Sequence, residues 1–324
     1  MNHTLWMRSL LAACVAVLLL FPLAGSVYYT QLFTKIMMLS IFAMSLDLLV
    51  GYTGLVSLGH AAFFGLAGYV LALMSPPYAA ANLLTTLPAA LAASALVAFL
   101  IGLLVLRTSG IYFIMVTLAF AQMLYYLFHD TKLGGGSDGI YIYVKPALSI
   151  WGWVPFTLES KVVLYYFTLA LMLAVYALLR AVLRSTFGRA LQGIKANEQR
   201  MRSLGFATFR YKLAAFVLAG TLAGLSGYLA AMQFGFVNPE ILSWHQSGNV
   251  LMMVILGGMG SLAGPVLGAF AFTLLQDLFE SLTKHWQLLL GGFIVLVVLV
   301  LPRGLFGLFE YLATLRGRRR GHDD

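Results

Sequence analysis

A succession of apolar runs constrains this chain more than any other feature, because a helix needs about 20 mainly apolar residues to cross a hydrocarbon core. The runs fall near residues 9–28, 34–50, 59–74, 87–106, 111–128, 161–179, 212–232, 247–259, 264–282 and 286–301. They predict an all-α polytopic membrane protein with about ten transmembrane helices, some broken or re-entrant, in a single membrane domain over 1–324. The run at 247–259 is short for a straight span. It ends in Leu256-Gly257-Gly258-Met259-Gly260, which breaks a helix and favours a tilted or re-entrant segment. Hydrophobic residues make up 61% of the chain and charged residues 10%. An ordinary soluble domain carries roughly 45–50% and about 25%, so that class is excluded. The single cysteine, Cys14, falls in the first run, so no disulfide framework exists.

Charge sets the expected orientation. With the N-terminus inside, the cytoplasmic side receives Arg8, Arg107, the basic residues of 180–212, Arg303, Arg316 and Arg318 to Arg320. The outside keeps Lys35, Lys132, Lys145, Lys161 and Lys284. Cytoplasmic loops carry the excess of Lys and Arg, so both termini are expected inside. The first run lacks a convincing cleavage site and leads straight into further spans, so it reads as a retained helix. The basic tail 303–324 reads as an anchor at anionic lipid. The only long external connection is 129–160, where Leu133 to Gly139 is turn chemistry and Trp151 and Trp153 suit a membrane interface. No repeat of fixed period is visible.

The cytoplasmic segment 180–212 concentrates the charge: Arg180, Arg184, Arg189, Lys195, Arg200, Arg202, Arg210 and Lys212 stand against the single acid Glu198. Leu191, Ile194, Met201 and Leu204 recur at helical offsets and predict an apolar stripe edged with cations, a surface that wants a partner groove. Asn197 suits the N-cap of a second short helix and Gly205 its stop, giving a helix–break–helix shape. No aromatic-studded basic groove accompanies the charge, so nucleic acid is not expected as a partner.

Two glycine-rich blocks are candidates for a translocation pathway. The first combines Asp47, Gly51, Gly54, Ser57 and His60, with Gly65 and Gly68 beyond, in apolar surroundings. A broken helix there exposes backbone groups to a polar pathway, whereas the competing reading is close helix packing by small residues. Asp47 either lines that pathway or sits at a helix end. His60 has no second ligand nearby and reads as a hydrogen-bonded structural residue, and no metal site is expected. The second block contains Gly257 and Gly258, which suit either a gating element or a tight turn with close packing. Glu240, in the turn Asn238-Pro239-Glu240, reads as solvated. Asp277 and Glu280 share a helical face near the outer interface and also read as solvated. No phosphate loop, nucleophile elbow, metalloprotease motif or working carboxylate pair is present, so the chain is not expected to be an enzyme.

Several blocks resemble the LivM-type permease subunit of branched-chain amino-acid ABC importers. They are Gly51-Tyr52-Thr53-Gly54-Leu55-Val56-Ser57-Leu58-Gly59-His60-Ala61-Ala62-Phe63, Gly135-Gly136-Ser137-Asp138-Gly139, Gly188-Arg189-Ala190-Leu191 with Asn197-Glu198, and Val254-Ile255-Leu256-Gly257-Gly258-Met259-Gly260-Ser261. The resemblance covers roughly 35–309. It implies that 180–212 couples to a cytoplasmic ATPase through Gly188, Arg189, Leu191, Ile194, Asn197, Glu198, Met201, Leu204 and Gly205. Importers of this type carry an E-A-A-x-x-x-G pattern; Gln199-Arg200-Met201 stands in its first three places here and only Gly205 matches. Asp47 replaces the asparagine associated with that position in the family. The resemblance further implies a LivH-type permease partner, two ABC ATPase subunits, an extracytoplasmic substrate-binding protein, and an address in the bacterial cytoplasmic membrane. The chain itself would bind no cofactor, with ATP and Mg on the ATPases. Similar permeases import urea, short amides or small carboxylates, and an ion-coupled carrier using Asp47 or the Asp277 and Glu280 pair is the alternative from another class.

Overall fold

The computed structural model describes residues 18–19, 21–24, 26–150, 153–301 and 304–307. Most of the first expected span, Cys14, Trp151 and the arginine cluster of the tail lie outside the described residues. The chain is mainly helical. The helices are α1 (Val27–Val50), α2 (His60–Met74), α3 (Leu83–Val105), α4 (Ile111–Asp130), α5 (Lys161–Arg184), α6 (Thr186–Ala196), α7 (Glu198–Ser203), α8 (Thr208–Phe234), α9 (Trp244–Gly257), α10 (Ala263–Leu282) and α11 (Trp286–Val300). Among the described residues, α1, α3, α4, α5 and α8 are long and apolar enough to cross a membrane. With α9 at 14 residues and α2 and α11 at 15, these three helices are about 21–23 Å long at 1.5 Å per residue, short of a core of about 30 Å.

Helix α1 is buried on nearly every face from Thr34 to Val50, as expected of a helix that is apolar all round and sits at the centre of a bundle. It packs against α8, α5, α10 and α9. Small residues bring the backbones close. A side chain added at Gly227 of α8 would strike the Phe64 carbonyl of α2, and one at Gly224 would strike Ser94 of α3. The outer helices instead present Leu96, Leu100 and Leu104 on α3 and Ile111, Met115 and Met123 on α4 as exposed apolar surface.

Hydrogen bonds fix which helix ends meet. Tyr28 at the start of α1 donates to Asp277 near the end of α10, Oη to Oδ1 2.5 Å. Gln233 near the end of α8 donates to the Gln31 carbonyl of α1 at 2.8 Å. The far end of α1 meets the turn between α9 and α10. Thus α8 and α10 run antiparallel to α1, and α9 runs parallel to it. The end that carries α6 and α7 is the basic end.

The opposite end departs from the all-α expectation. Its connections form two small antiparallel sheets. Strand β1 (Ile140–Tyr141) pairs with β4 (Phe236–Val237), and β2 (Ala147–Ile150) pairs with β3 (Trp153–Thr157). Positive φ at Gly135, Gly136 and Gly139 gives the 133–139 turn its left-handed backbone, and a side chain at Gly139 would collide with the Val237 carbonyl.

Candidate functional site

The sequence features singled out separately meet at the basic end. Helix α1 stops at Val50 and α2 starts at His60, so the first glycine-rich block is the tight connection between two helices and not a break within one. This corrects the broken-helix expectation. Gly51 still donates to the Asp47 carbonyl at 2.7 Å, and Gly54 turns the chain with φ +75°. Several polar groups there bond to one another, although His60 Nδ1 is buried with no hydrogen-bond partner among the described residues. Ser45 Oγ lies 2.9 Å from His60 Nε2, and the imidazole stacks on Phe42 at 5.5 Å. The Ala61 amide donates to Ser247 Oγ of α9 at 2.9 Å, and the Leu58 amide to Thr117 Oγ1 of α4 at 3.3 Å. Ser57 is buried and its Oγ accepts from the Gly59 amide at 3.3 Å.

Asp47 is 1% exposed, one turn before the end of α1. Its Oδ1 accepts from the Gly260 amide at 2.9 Å, pinning the turn between α9 and α10 to α1. Asp47 thus sits at a helix end in a packed contact, with Oδ2 buried and without a hydrogen-bond partner among the described residues. A side chain at Gly51 would strike Asp47 Oδ1 and come within 2.6 Å of the Gly260 nitrogen, so glycine at 51 is what allows the approach. The second block packs in the same manner. A Cβ at Gly257 would overlap the Gly264 carbonyl of α10, and Gly258 with φ +109° and Gly260 with φ +80° form the turn.

The cytoplasmic segment folds as helix–break–helix. Asn197 closes α6 and caps α7, its side chain accepting from the Arg200 amide at 2.9 Å, and Gly205 follows with φ +85°. The expected apolar stripe is divided, and here the expectation needs correction. Leu191 is 0% exposed and Ile194 3%, so the apolar side of α6 turns into the chain's own core. Gly188 is buried at the α5–α6 junction, where a side chain would strike Leu183 backbone. Met201 packs on Gly193 and is half-buried. Leu204, 66% exposed, and Phe206 remain outside, with Arg189, Arg200 and Arg202 exposed nearby. The free surface is cationic with a small apolar knob, because a short helix lying on a bundle must spend its apolar face on that bundle.

Glu198 joins α7 to the foot of α8. Its carboxylate accepts from Arg202 at 2.7 Å and from Thr208 Oγ1 at 3.1 Å, and pairs with Lys212. Burial works to raise its pKa, but the bonds from Lys212 and Arg202 outweigh it and hold the carboxyl below its ordinary value. Lys195, on the exposed side of α6, reads in the sequence as one charge among eight. Its stem lies on Gly54 and its Nζ donates to the Gly51 carbonyl at 2.6 Å. A single turn of chain, Gly51 to Gly54, thus touches both α6 and the α9–α10 turn. No local signal marked this residue, since the bond spans 144 positions. Among the described residues no cluster of three or more His, Cys, Asp or Glu is placed to hold a metal ion.

The family model described as "Branched-chain amino acid transport system / permease component" matches residues 28–299. The high-affinity branched-chain amino acid transport system permease protein LivM of Salmonella typhimurium (strain LT2) is 32% identical, over 94% of this chain and 76% of its own length. The protein of that name from Escherichia coli K12 gives the same values. The autoinducer 2 import system permease protein LsrC of Photorhabdus luminescens is 31% identical over 40% of this chain and 41% of its own length. No solved structure matches the chain significantly.

Proposed function

The chain belongs to the family of branched-chain amino acid transport system permease components, and from that premise we propose that it is a membrane subunit of an ATP-driven ABC importer for branched-chain or other hydrophobic amino acids. It forms one half of the translocation pathway beside a LivH-type permease. Two cytoplasmic ABC ATPases bind ATP and Mg, and an extracytoplasmic binding protein delivers cargo. On this reading about ten segments cross the bacterial cytoplasmic membrane, the basic end and both termini face the cytoplasm, and this chain performs no catalysis.

The observation that carries the mechanism is the bond from Lys195 to the Gly51 carbonyl. Helices α6 and α7 offer a cationic surface with Leu204 at its edge to an ATPase groove. Movement of α6 reaches the end of α1 through Lys195, and reaches α9 and α10 through Asp47 and the Gly260 amide. Packed elements of this kind transmit small displacements because their interfaces resist continuous deformation. An ion-coupled carrier is less well supported, since Asp277 is bonded to Tyr28 and Glu280 to Gln276.

Affinity purification of the tagged chain from its native membrane tests the assignment. Wild type should bring down two ATPases and a second permease, and Leu204→Asp should lose the ATPases while retaining the permease. A chain that purifies alone contradicts the assignment.

A further inference from the structure

A cavity of about 320 Å³ opens between α1, α2, α8, α9 and α10, and its wall includes none of the candidate pathway residues of the two glycine-rich blocks. Its volume is at the small end of ligand pockets, which run roughly 300–1,000 Å³. Three helices contribute to it with the same polarity gradient. On α1, Lys35 precedes Met38 and Leu39; on α9, Gln246 and Asn249 precede Met253; on α10, which runs the other way, Phe272 precedes Gln276. In each case the polar residue is the one farther from the basic end. The cavity therefore gathers its polar residues at the mouth, beside Phe234 and Phe236, over an apolar floor, and Glu240 from the β4–α9 connection adds a carboxylate to the mouth.

The mouth holds unused hydrogen-bonding capacity. Lys35 is half-buried, yet its ammonium has no hydrogen-bond or ion-pair partner among the described residues. The side chains of Gln246 and Asn249 likewise bond to no described residue. Glu240 is exposed, and among the described residues its carboxylate has only a 3.4 Å bond from Tyr125 Oη. A partly buried ammonium, two amides and a carboxylate around an apolar floor match one chemical class, a small zwitterion with an aliphatic side chain. Burying both charges of such a molecule is costly unless each meets an opposite charge or a hydrogen-bond partner.

We propose that this cavity is a cargo site of the permease itself, in which Lys35 receives the carboxylate of an incoming amino acid, Glu240 its ammonium, and Met38, Met253 and Phe272 its side chain. The inference rests on the importer reading above and adds the position and polarity of the site. It also connects to the coupling path, because α1, α9 and α10 are the helices joined at the basic end by Asp47 and Gly260.

The test is ATP-driven uptake of radiolabelled leucine by proteoliposomes holding the whole importer and its binding protein, read together with binding-protein-stimulated ATP hydrolysis. Lys35→Met and Glu240→Gln should each lower leucine delivered per ATP by about tenfold, while stimulated hydrolysis, which reports folding and assembly, stays within twofold. Lys284→Met, a charge loss at an exposed position outside the cavity wall, should change neither. The exchange Lys35→Glu with Glu240→Lys should deliver more than either single variant, because a zwitterion can be held in reverse. Wild-type delivery per ATP in both single variants would overturn the site and leave the importer reading standing. If the wild-type complex takes up no leucine under ATP, the importer reading fails and this site with it.

Discussion

Replacing Lys195 by methionine isolates the link between α6 and the end of α1. Methionine keeps an apolar stem beside Gly54, where a Cβ placed on the glycine would lie 3.3 Å from the lysine Cγ, but has no donor for the Gly51 carbonyl. The lost bond is short at 2.6 Å and charged on one side, and Gly51 is buried. Hydrogen bonds to charged groups contribute about 1.5–3 kcal/mol, and Lys195 as a whole is exposed, which argues for the lower end. About 1.5 kcal/mol corresponds to roughly tenfold in an equilibrium, since about 1.4 kcal/mol is a factor of ten. If that equilibrium is the one by which α6 draws α1, leucine transported per ATP should fall about tenfold in Lys195→Met. ATPase subunits should still co-purify, because the docking surface is intact. Arginine at 195 should restore part of the loss, as it can donate but not in the same place. The assay is uptake and phosphate release measured on the same proteoliposomes. Unchanged coupling in Lys195→Met would refute the reasoning, and so would detachment of the ATPases.

Other substitutions test neighbouring contacts. Asp47→Asn should change the melting temperature little, because an amide oxygen can accept from Gly260, whereas Asp47→Leu strands that amide and should cost about 1–3 kcal/mol in thermal unfolding. Gly51→Ala places a methyl against Asp47 and the Gly260 nitrogen and should cost about 1–3 kcal/mol as overpacking, read from the same unfolding curves. Leu191→Asp should fail to accumulate as folded protein in a detergent-stability assay, while Leu204→Asp folds, since only the second side chain is exposed. Folding lowers the pKa of Glu198, so its carboxylate contributes fully above the unfolded value near 4.5 and the contribution fades as pH falls through the folded value. The stability difference between wild type and Glu198→Gln should therefore be present at pH 7 and vanish in acid; for partly exposed ion pairs it is about 0.2–1 kcal/mol per pair.

Much of the architecture was legible because lipid leaves few options for an apolar run. The expected spans from 59–74 onward each coincide with a helix, with ends differing by a few residues. The caps of the short helices in 180–212 were legible as well, since Asn197 and Gly205 act within one turn of their own positions. The features that stayed hidden depend on distance through space. Periodicity found the apolar stripe at Leu191 and Ile194 but not what would cover it, and the chain's own bundle does. The contacts of the 47–60 block were hidden too, because nothing in the sequence shows that Gly260 and Lys195 are the partners of Asp47 and Gly51. The outer cavity was illegible for the same reason: its charged residues, Lys35 and Glu240, stand some 200 positions apart.

The central claim, an ATP-driven permease subunit coupled through α6 and α7, is tested most directly by leucine uptake into proteoliposomes containing the purified complex and its binding protein. The account predicts uptake that requires ATP hydrolysis and the binding protein, persists when an ionophore collapses the ion gradients, and is lost in Leu204→Asp. Uptake by this chain without ATPases, abolished by the ionophore, would contradict it.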